Sequence, residues 1–381
     1  MPIRKERLAA AGWAWHDLPM TKHLAATAVL AALALTLPLA AQDEPQGAPS
    51  PNEIVTAAPA SDWVAIPAED LLVMTLAPDA EGNAREVVIQ LMPAPFSQGW
   101  VENIRTLARA KWYDNISINR VQDNYVVQWG DPNYDNPEAT GETKPLPEGL
   151  KVMGEAEYEV RNPSLVLQLQ ENFRDQKARS APDALLQAMR VDGPTLQGIR
   201  RNPAGNPDPY SILSGTLGGW PVGADLTSVW PTHCYGMVGV GRNYSPDTGS
   251  GAELYTVIGH APRHLDRNIA LVGRVVSGME HLSSLPRGKG DLGFYAEDEF
   301  DKRTPILTVR VASDLPAGDP ASGSEAVGQQ TRPRFEYLST ESESFAQYAD
   351  ARANRRDAFF IVPAGGADIC NIPVPVRPVA E

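Results

Sequence analysis

Arg120 and Gln128, with Tyr125 and Val126 between them, are the residues of this chain best placed to act on a substrate without a nucleophile. They fall in the stretch from Glu102 to Pro132, ENIRTLARAKWYDNISINRVQDNYVVQWGDP. A guanidinium stays protonated and presents a rigid fork of N–H donors. Set beside aromatic and aliphatic side chains, it makes a binding face with a fixed charge. Two blander readings stand beside this one: Arg120 as a surface ion-pair partner, and Tyr125, Val126 and Tyr255 as plain core.

Other chemistries find less support. His260 and His264 are four apart, a spacing that suits a metal pair on a helix. Pro262 interrupts that helix, and no carboxylate or cysteine completes a ligand set. There is no nucleophile-elbow motif and no Cys-x-x-Cys. Gly239 and Gly241 lack the further spaced glycine and helix opening of a phosphate loop. Neither metal nor cofactor is therefore expected. A net charge of -14 argues against an electrostatic hold on nucleic acid or anionic lipid.

The elements that would position these residues follow from periodicity. Ile104, Leu107, Ala108 and Trp112 recur at helical spacing, with Arg105, Arg109 and Lys111 turned outward. Asp114-Asn115 marks a turn, Ile116 to Val121 a strand, and Tyr125 to Gln128 a second strand ending at Trp129-Gly130-Asp131. Glu86 to Met92 is a further strand, with Val87, Ile89 and Leu91 on one face. Trp63 to Leu76 alternates weakly, as an entry strand. Residues 133–162 are rich in glycine, proline and asparagine, and 34 prolines in 381 residues predict many loops. Leu165 to Gln168 is a short apolar run, and Asp183 to Val191 reads as one or two helical turns. Thr232 to Gly241 returns to strand-like alternation, and Ile306 to Ala312 reads as a last strand.

In this order the elements resemble the cyclophilin family of peptidyl-prolyl isomerases. Tyr113-Asp114-Asn115, Ile118-Asn119-Arg120-Val121 and Tyr125-Val126-Val127-Gln128-Trp129-Gly130-Asp131 match its signature without a gap. Ile118 and Asn119 replace Phe-His, and Trp129 replaces a glycine. Gly251 to Val257 is similar to the Gly-Ser-Gln-Phe-Phe-Ile segment, with Glu253 at the glutamine and Tyr255 at the phenylalanine that floors the proline pocket. His264-Leu265-Asp266 stands at Trp-Leu-Asp, and Val272 to Val275 at Phe-Gly-Lys/Arg-Val. The resemblance covers roughly residues 82–132 and 232–316.

The resemblance implies a mainly β fold: a closed eight-stranded antiparallel barrel capped by two helices, with ligands bound on its outer wall. It implies a peptidyl-prolyl isomerase acting on proline-containing polypeptides. Arg120 would be catalytic, and Tyr125, Val126, Gln128, Glu253, Tyr255, His264 and Leu265 would bind the substrate. Since the family's tryptophan helps bind cyclosporin, His264 implies weak sensitivity to that drug. The alternative is a peptide-binding or chaperone module of the same fold with little or no catalysis, its groove altered at Glu253 and His264.

The domains expected are an N-terminal extension with a signal peptide (1–41), a flexible linker (42–62), the cyclophilin-like domain (63–316, with a long irregular insertion at about 133–232) and a C-terminal extension (317–381). Met20 to Ala41 has a short basic start, an apolar run from Leu24 to Leu37 and small residues at its end, the layout of a secretory signal peptide. The apolar run is shorter than the ~20 residues a membrane span needs, so membrane contact is expected only through this segment. Met20 is read as the true start, and the periplasm as the destination. In the extension, a helix is expected near Ser344 to Arg356 and a strand at Phe359 to Val362. Cys234 and Cys370 are the only cysteines. In an oxidising compartment a disulfide between them and two free thiols are both open; the disulfide would pin the tail beside the groove-forming strand.

Overall fold

The computed structural model describes residues 47–134, 139–180, 208–317 and 330–379. The expected signal segment, the helix expected at 183–191 and residues 318–329 of the C-terminal extension lie outside the described residues. Among the described residues no helix is long and apolar enough to cross a membrane.

A closed antiparallel barrel organises the chain. Its strands are β2 (Leu71–Leu76), β3 (Arg85–Leu91), β4 (Ile116–Val121), β5 (Val126–Gly130), β10 (Met237–Val240), β11 (Leu254–Val257), β12 (Leu271–Ser277) and β13 (Pro305–Val311). Around the wall the order is β10-β11-β5-β4-β13-β2-β3-β12, and the pairing of β12 with β10 closes it. Leu72, Met74 and Leu76 of β2, Ile89 and Leu91 of β3, and Val127 and Trp129 of β5 belong to the main core cluster. The alternate residues of β2, Leu71 and Val73, face outward yet are buried, because Ala312, Leu315 and Phe335 cover them. That double burial explains why LLVMTL reads as a nearly continuous apolar run rather than an alternating one.

Helix α2 (Gln98–Arg109) caps the barrel with the buried stripe Trp100, Val101, Ile104, Leu107 and Ala108. Its polar face is held by Arg105 on Asp70 at 2.6 Å and by Arg109 on Glu69 and Asp314. The second cap, α4 (Glu280–Ser283), is a single turn.

Residues 133–232, expected to be irregular, instead contain a four-stranded sheet, β6 (Val160–Arg161), β9 (Ser228–Pro231), β8 (Trp220–Ala224) and β7 (Leu213–Leu217), with helix α3 (Pro163–Ser180). The β7–β8 hairpin turns on Gly218 and Gly219, both at positive φ, the two-residue geometry that matches strand twist. Buried Arg274 of β12 donates to the Gly219 carbonyl at 2.9 Å and to Gln90 Oε1 at 2.9 Å, so the hairpin is fastened to the barrel wall. Leu165 begins no isolated run; it lies in α3, whose Val166 and Leu169 are buried.

The segment expected to be a flexible linker is also structured from residue 47 onward. Ser50 and Glu53 form a reciprocal capping box, Pro51 opens helix α1 (Pro51–Ala57), and Ile54 and Val55 pack on the C-terminal cluster. Strand β1 (Trp63–Ala65) joins β14 (Phe335–Leu338) and β15 (Val376–Pro378) in a three-stranded sheet. Helix α5 (Glu343–Ala353) starts at Ser342, whose hydroxyl accepts from the Phe345 amide at 3.0 Å. No strand forms at Phe359–Val362; this apolar segment stands in solvent, and the strand pairing with β14 comes later, at Val376–Pro378. Cys234 and Cys370 are joined in a disulfide with a Cα–Cα separation of 5.1 Å.

Candidate active site

The site lies on the outer wall where β4, β5 and β11 run side by side. Along β4, Ile116 and Ile118 point into the core, and strict alternation would send residue 120 inward as well. A bulge between Ile118 and Arg120 shifts the register, so that Val121 packs inward and Arg120 turns out opposite Gln128. Asn119 stabilises the bulge: its side-chain oxygen accepts from the Ser117 hydroxyl and its amide donates to the Gly130 carbonyl. The asparagine that breaks the expected Phe-His pattern is therefore a buried structural residue.

Arg120 donates from Nε to the Leu292 carbonyl at 2.7 Å, from Nη1 to Gln128 Oε1 at 3.0 Å, and from Nη2 to Gln122 Oε1. All three acceptors are neutral. Its guanidinium carbon lies 5.8 Å from the Tyr125 ring centroid and 5.5 Å from that of Phe294. Burial between these rings pulls its pKa below the usual arginine value. Three of five N–H groups are thus fixed, which orients the fork and leaves donors for a ligand.

Beside the guanidinium, Val126, Tyr255 and Val257 form a small apolar cluster on the outside of the barrel, with Tyr125 and Ile269 packed against it. The hollow is lined by Arg120, Tyr125, Val126, Gln128, Glu253, Tyr255 and Leu265, together with Gly241, Ile269 and Phe294. Tyr255 lies against bare backbone: a Cβ on Gly239 would come within 2.4 Å of its ring and hydroxyl. Glu253 packs over Gly130, where a Cβ would meet the carboxylate at 1.8 Å.

Seven of the eight residues expected in the site thus share one hollow, and His264 does not. The turn Arg263–Leu265 presents Leu265 to the groove and leaves the His264 side chain exposed. Consecutive residues on so tight a turn cannot face the same way. His260 meets Asn124, and among the described residues no group of three metal-ligating side chains converges. The sequence reading missed Phe294 and Leu292, which reach Arg120 from a distant loop, and Gln122, whose place two residues after Arg120 on an extended stretch was the available signal. It also missed His233, buried behind Tyr255 with Nε2 2.9 Å from the phenol oxygen.

A model of the family described as cyclophilin type peptidyl-prolyl cis-trans isomerase/CLD matches residues 81–311. Among solved structures, cyclophilin AquaCyp293 from Hirschia baltica is similar, with a TM-score of 0.51 at 18% identity over 84% of this chain and 94% of that one. A cyclophilin type peptidyl-prolyl cis-trans isomerase from Cryptosporidium parvum, crystallised in the presence of the dipeptide Ala-Pro, aligns with 62% of this chain and 97% of its own at 10% identity and a TM-score of 0.31. A search of curated proteins finds no match.

Proposed function

The chain belongs to the cyclophilin-type peptidyl-prolyl cis-trans isomerases, and we propose that Arg120 is the catalytic donor of its outer groove, acting on Xaa-Pro bonds of exported polypeptides. The observation that carries this reading is a guanidinium held by neutral acceptors at the edge of an apolar hollow.

The chemistry follows from the peptide bond. Rotation faces a barrier of about 18–20 kcal/mol because the nitrogen lone pair is delocalised into the carbonyl. Xaa-Pro bonds populate both isomers but exchange over tens of seconds or longer. No bond has to be broken. A donor that binds the prolyl nitrogen more strongly once the amide has twisted lowers the barrier, because the lone pair is then localised. Arg120 supplies that donor, and its fixed orientation means it does not have to be reorganised during rotation. Val126, Tyr255, Leu265 and the Tyr125 ring grip the proline, while Gln128, already bonded to Arg120, meets the substrate backbone.

A protease-coupled isomerase assay on a Xaa-Pro peptide tests the assignment. The wild type accelerates isomerisation, and Arg120→Ala loses most of that rate; a mutant with wild-type turnover would refute the role given to Arg120. Peptide binding without acceleration by the wild type would favour the alternative of a binding module.

Export is supported by the signal-like layout of residues 20–41 and by the Cys234–Cys370 disulfide, a bond favoured in oxidising compartments. On this reading synthesis starts at Met20, the segment is cleaved near Ala41, and the mature enzyme assists folding in a bacterial periplasm. N-terminal sequencing of the mature protein checks it: a sequence beginning within residues 1–19 rules it out.

A further inference from the structure

We propose that His233 is a positioning residue of the isomerase groove, holding the Tyr255 ring in place as the floor of the proline-binding hollow. The inference rests on the isomerase reading above and concerns a residue outside the groove lining.

His233 is fully buried. Its Nδ1 lies 2.9 Å from Asp266 Oδ1, and the same carboxylate oxygen accepts the His233 backbone N–H at 2.9 Å. A carboxylate facing Nδ1 fixes the proton there, so Nε2 presents a lone pair. The Tyr255 hydroxyl, 2.9 Å away, donates to it. Burial lowers the His233 pKa despite Asp266, which keeps the ring neutral and able to accept. Burial also raises the Tyr255 pKa, which keeps the phenol protonated and able to donate.

The two rings are nearly parallel, 11° apart, and the phenol rests on Gly239. Tyr255 is thus fixed at its tip by His233 and along its ring by the backbone of β10. Its hydroxyl is spent on His233, so the hollow meets the apolar ring.

Asp266 is itself anchored. Its Oδ2 accepts from Arg263 Nε at 2.6 Å, and Arg263 Nη2 donates to Asp208 Oδ2 at 3.1 Å. These side chains are all buried. Asp208 precedes β7, so the chain of contacts runs from the inserted sheet through Arg263, Asp266 and His233 to the pocket floor. An Asp-His-hydroxyl relay of this kind resembles the layout that activates a nucleophile. Here the hydroxyl is a buried phenol, and the relay fixes an orientation instead.

His233→Asn and His233→Gln separate the two ends of the contact. Asparagine keeps a donor near Nδ1 for Asp266 but is too short to reach Tyr255; glutamine places an acceptor near Nε2. In the coupled assay His233→Asn should raise KM for an Ala-Pro peptide by about 5-fold or more, with kcat changed by less than about 2-fold, and His233→Gln should restore most of the loss. In a Tyr255→Phe background the asparagine effect should shrink below about 2-fold, since the contact it removes is already gone. Equal losses in both backgrounds would overturn the inference. A measurement on the unaltered enzyme guards against a variant that does not fold: the ring nitrogens of His233, followed by NMR, should shift as the peptide is added. Unmoved resonances at saturation overturn the inference while leaving the isomerase reading intact. A wild type that binds the peptide without accelerating it removes the premise.

Discussion

The rim of the groove and the support beneath its floor each hold an arginine, and hold it differently. Arg120 is bonded to two carboxamide oxygens and one backbone carbonyl, between two aromatic faces. Arg263 is bonded to the carboxylates of Asp208 and Asp266. Burial works against the charge on both. At Arg120 it prevails and the pKa falls; at Arg263 the two carboxylates outweigh it and the pKa rises. A guanidinium among neutral acceptors is oriented without being neutralised, and its field remains directed at whatever enters the hollow. A guanidinium between carboxylates has its charge satisfied inside the protein and serves cohesion.

The sharpest way to break this comparison is to remove each arginine and measure both activity and stability. Arg263→Ala leaves two buried carboxylates uncompensated and should cost about 3–5 kcal/mol of stability, read as a lower urea midpoint. A midpoint unchanged by the substitution would mean that the buried cluster holds nothing together. Arg120→Ala should do the reverse, keeping the midpoint near wild type. A charged hydrogen bond of about 1.5–3 kcal/mol predicts a loss of roughly 10- to 150-fold in kcat/KM.

Gly239→Ala probes the boundary between the two regions. The added methyl would occupy space now filled by Tyr255 and push the floor toward the hollow. Overpacking of about 1–3 kcal/mol should appear chiefly as weaker peptide binding, which titration calorimetry measures. The smallest effect is acid sensitivity. His233 titrates at 6.5 in an unperturbed setting and lower in the fold, so the unfolded chain takes up the proton first as pH falls. Its contribution to stability is complete above about pH 6.5 and is lost as pH drops through the folded-state pKa, with a slope of at most about 1.4 kcal/mol per pH unit. Urea midpoints across that range should decline toward acid, and His233→Gln should flatten the decline.

The rim was far easier to read from sequence than the support. Arg120, Tyr125, Val126 and Gln128 lie within one hairpin, where strand period and short spacing place them on a common wall. Tyr255 follows because β11 pairs with β5 in a register that sets it opposite Gln128. His264 stands outside the hollow, and spacing cannot foretell which residue of a single turn faces inward. Leu292 and Phe294 reach Arg120 across a separation of about 170 residues, and His233 meets Asp266 across 33. Neither contact has a local signature. The inserted sheet was read as irregular because its strands, from two to five residues, are too short to establish an alternation. The ordered start at Ser50 was legible as a capping box, but proline and alanine around it suggested a tether.

The three-stranded sheet that joins β1 to β14 and β15 has a consequence for how the molecule is made. A ribosome delivers Trp63 long before Val376, yet β1 has no neighbour in its sheet until β14 emerges, and β14 gains its second only with β15. The half-cystine at 370 likewise arrives after its mate at 234 has been waiting for 136 residues. The barrel can close earlier, but its outer jacket cannot be fastened until residues 370–378 are present, so a chain truncated before residue 370 should carry a finished groove inside an unfinished coat.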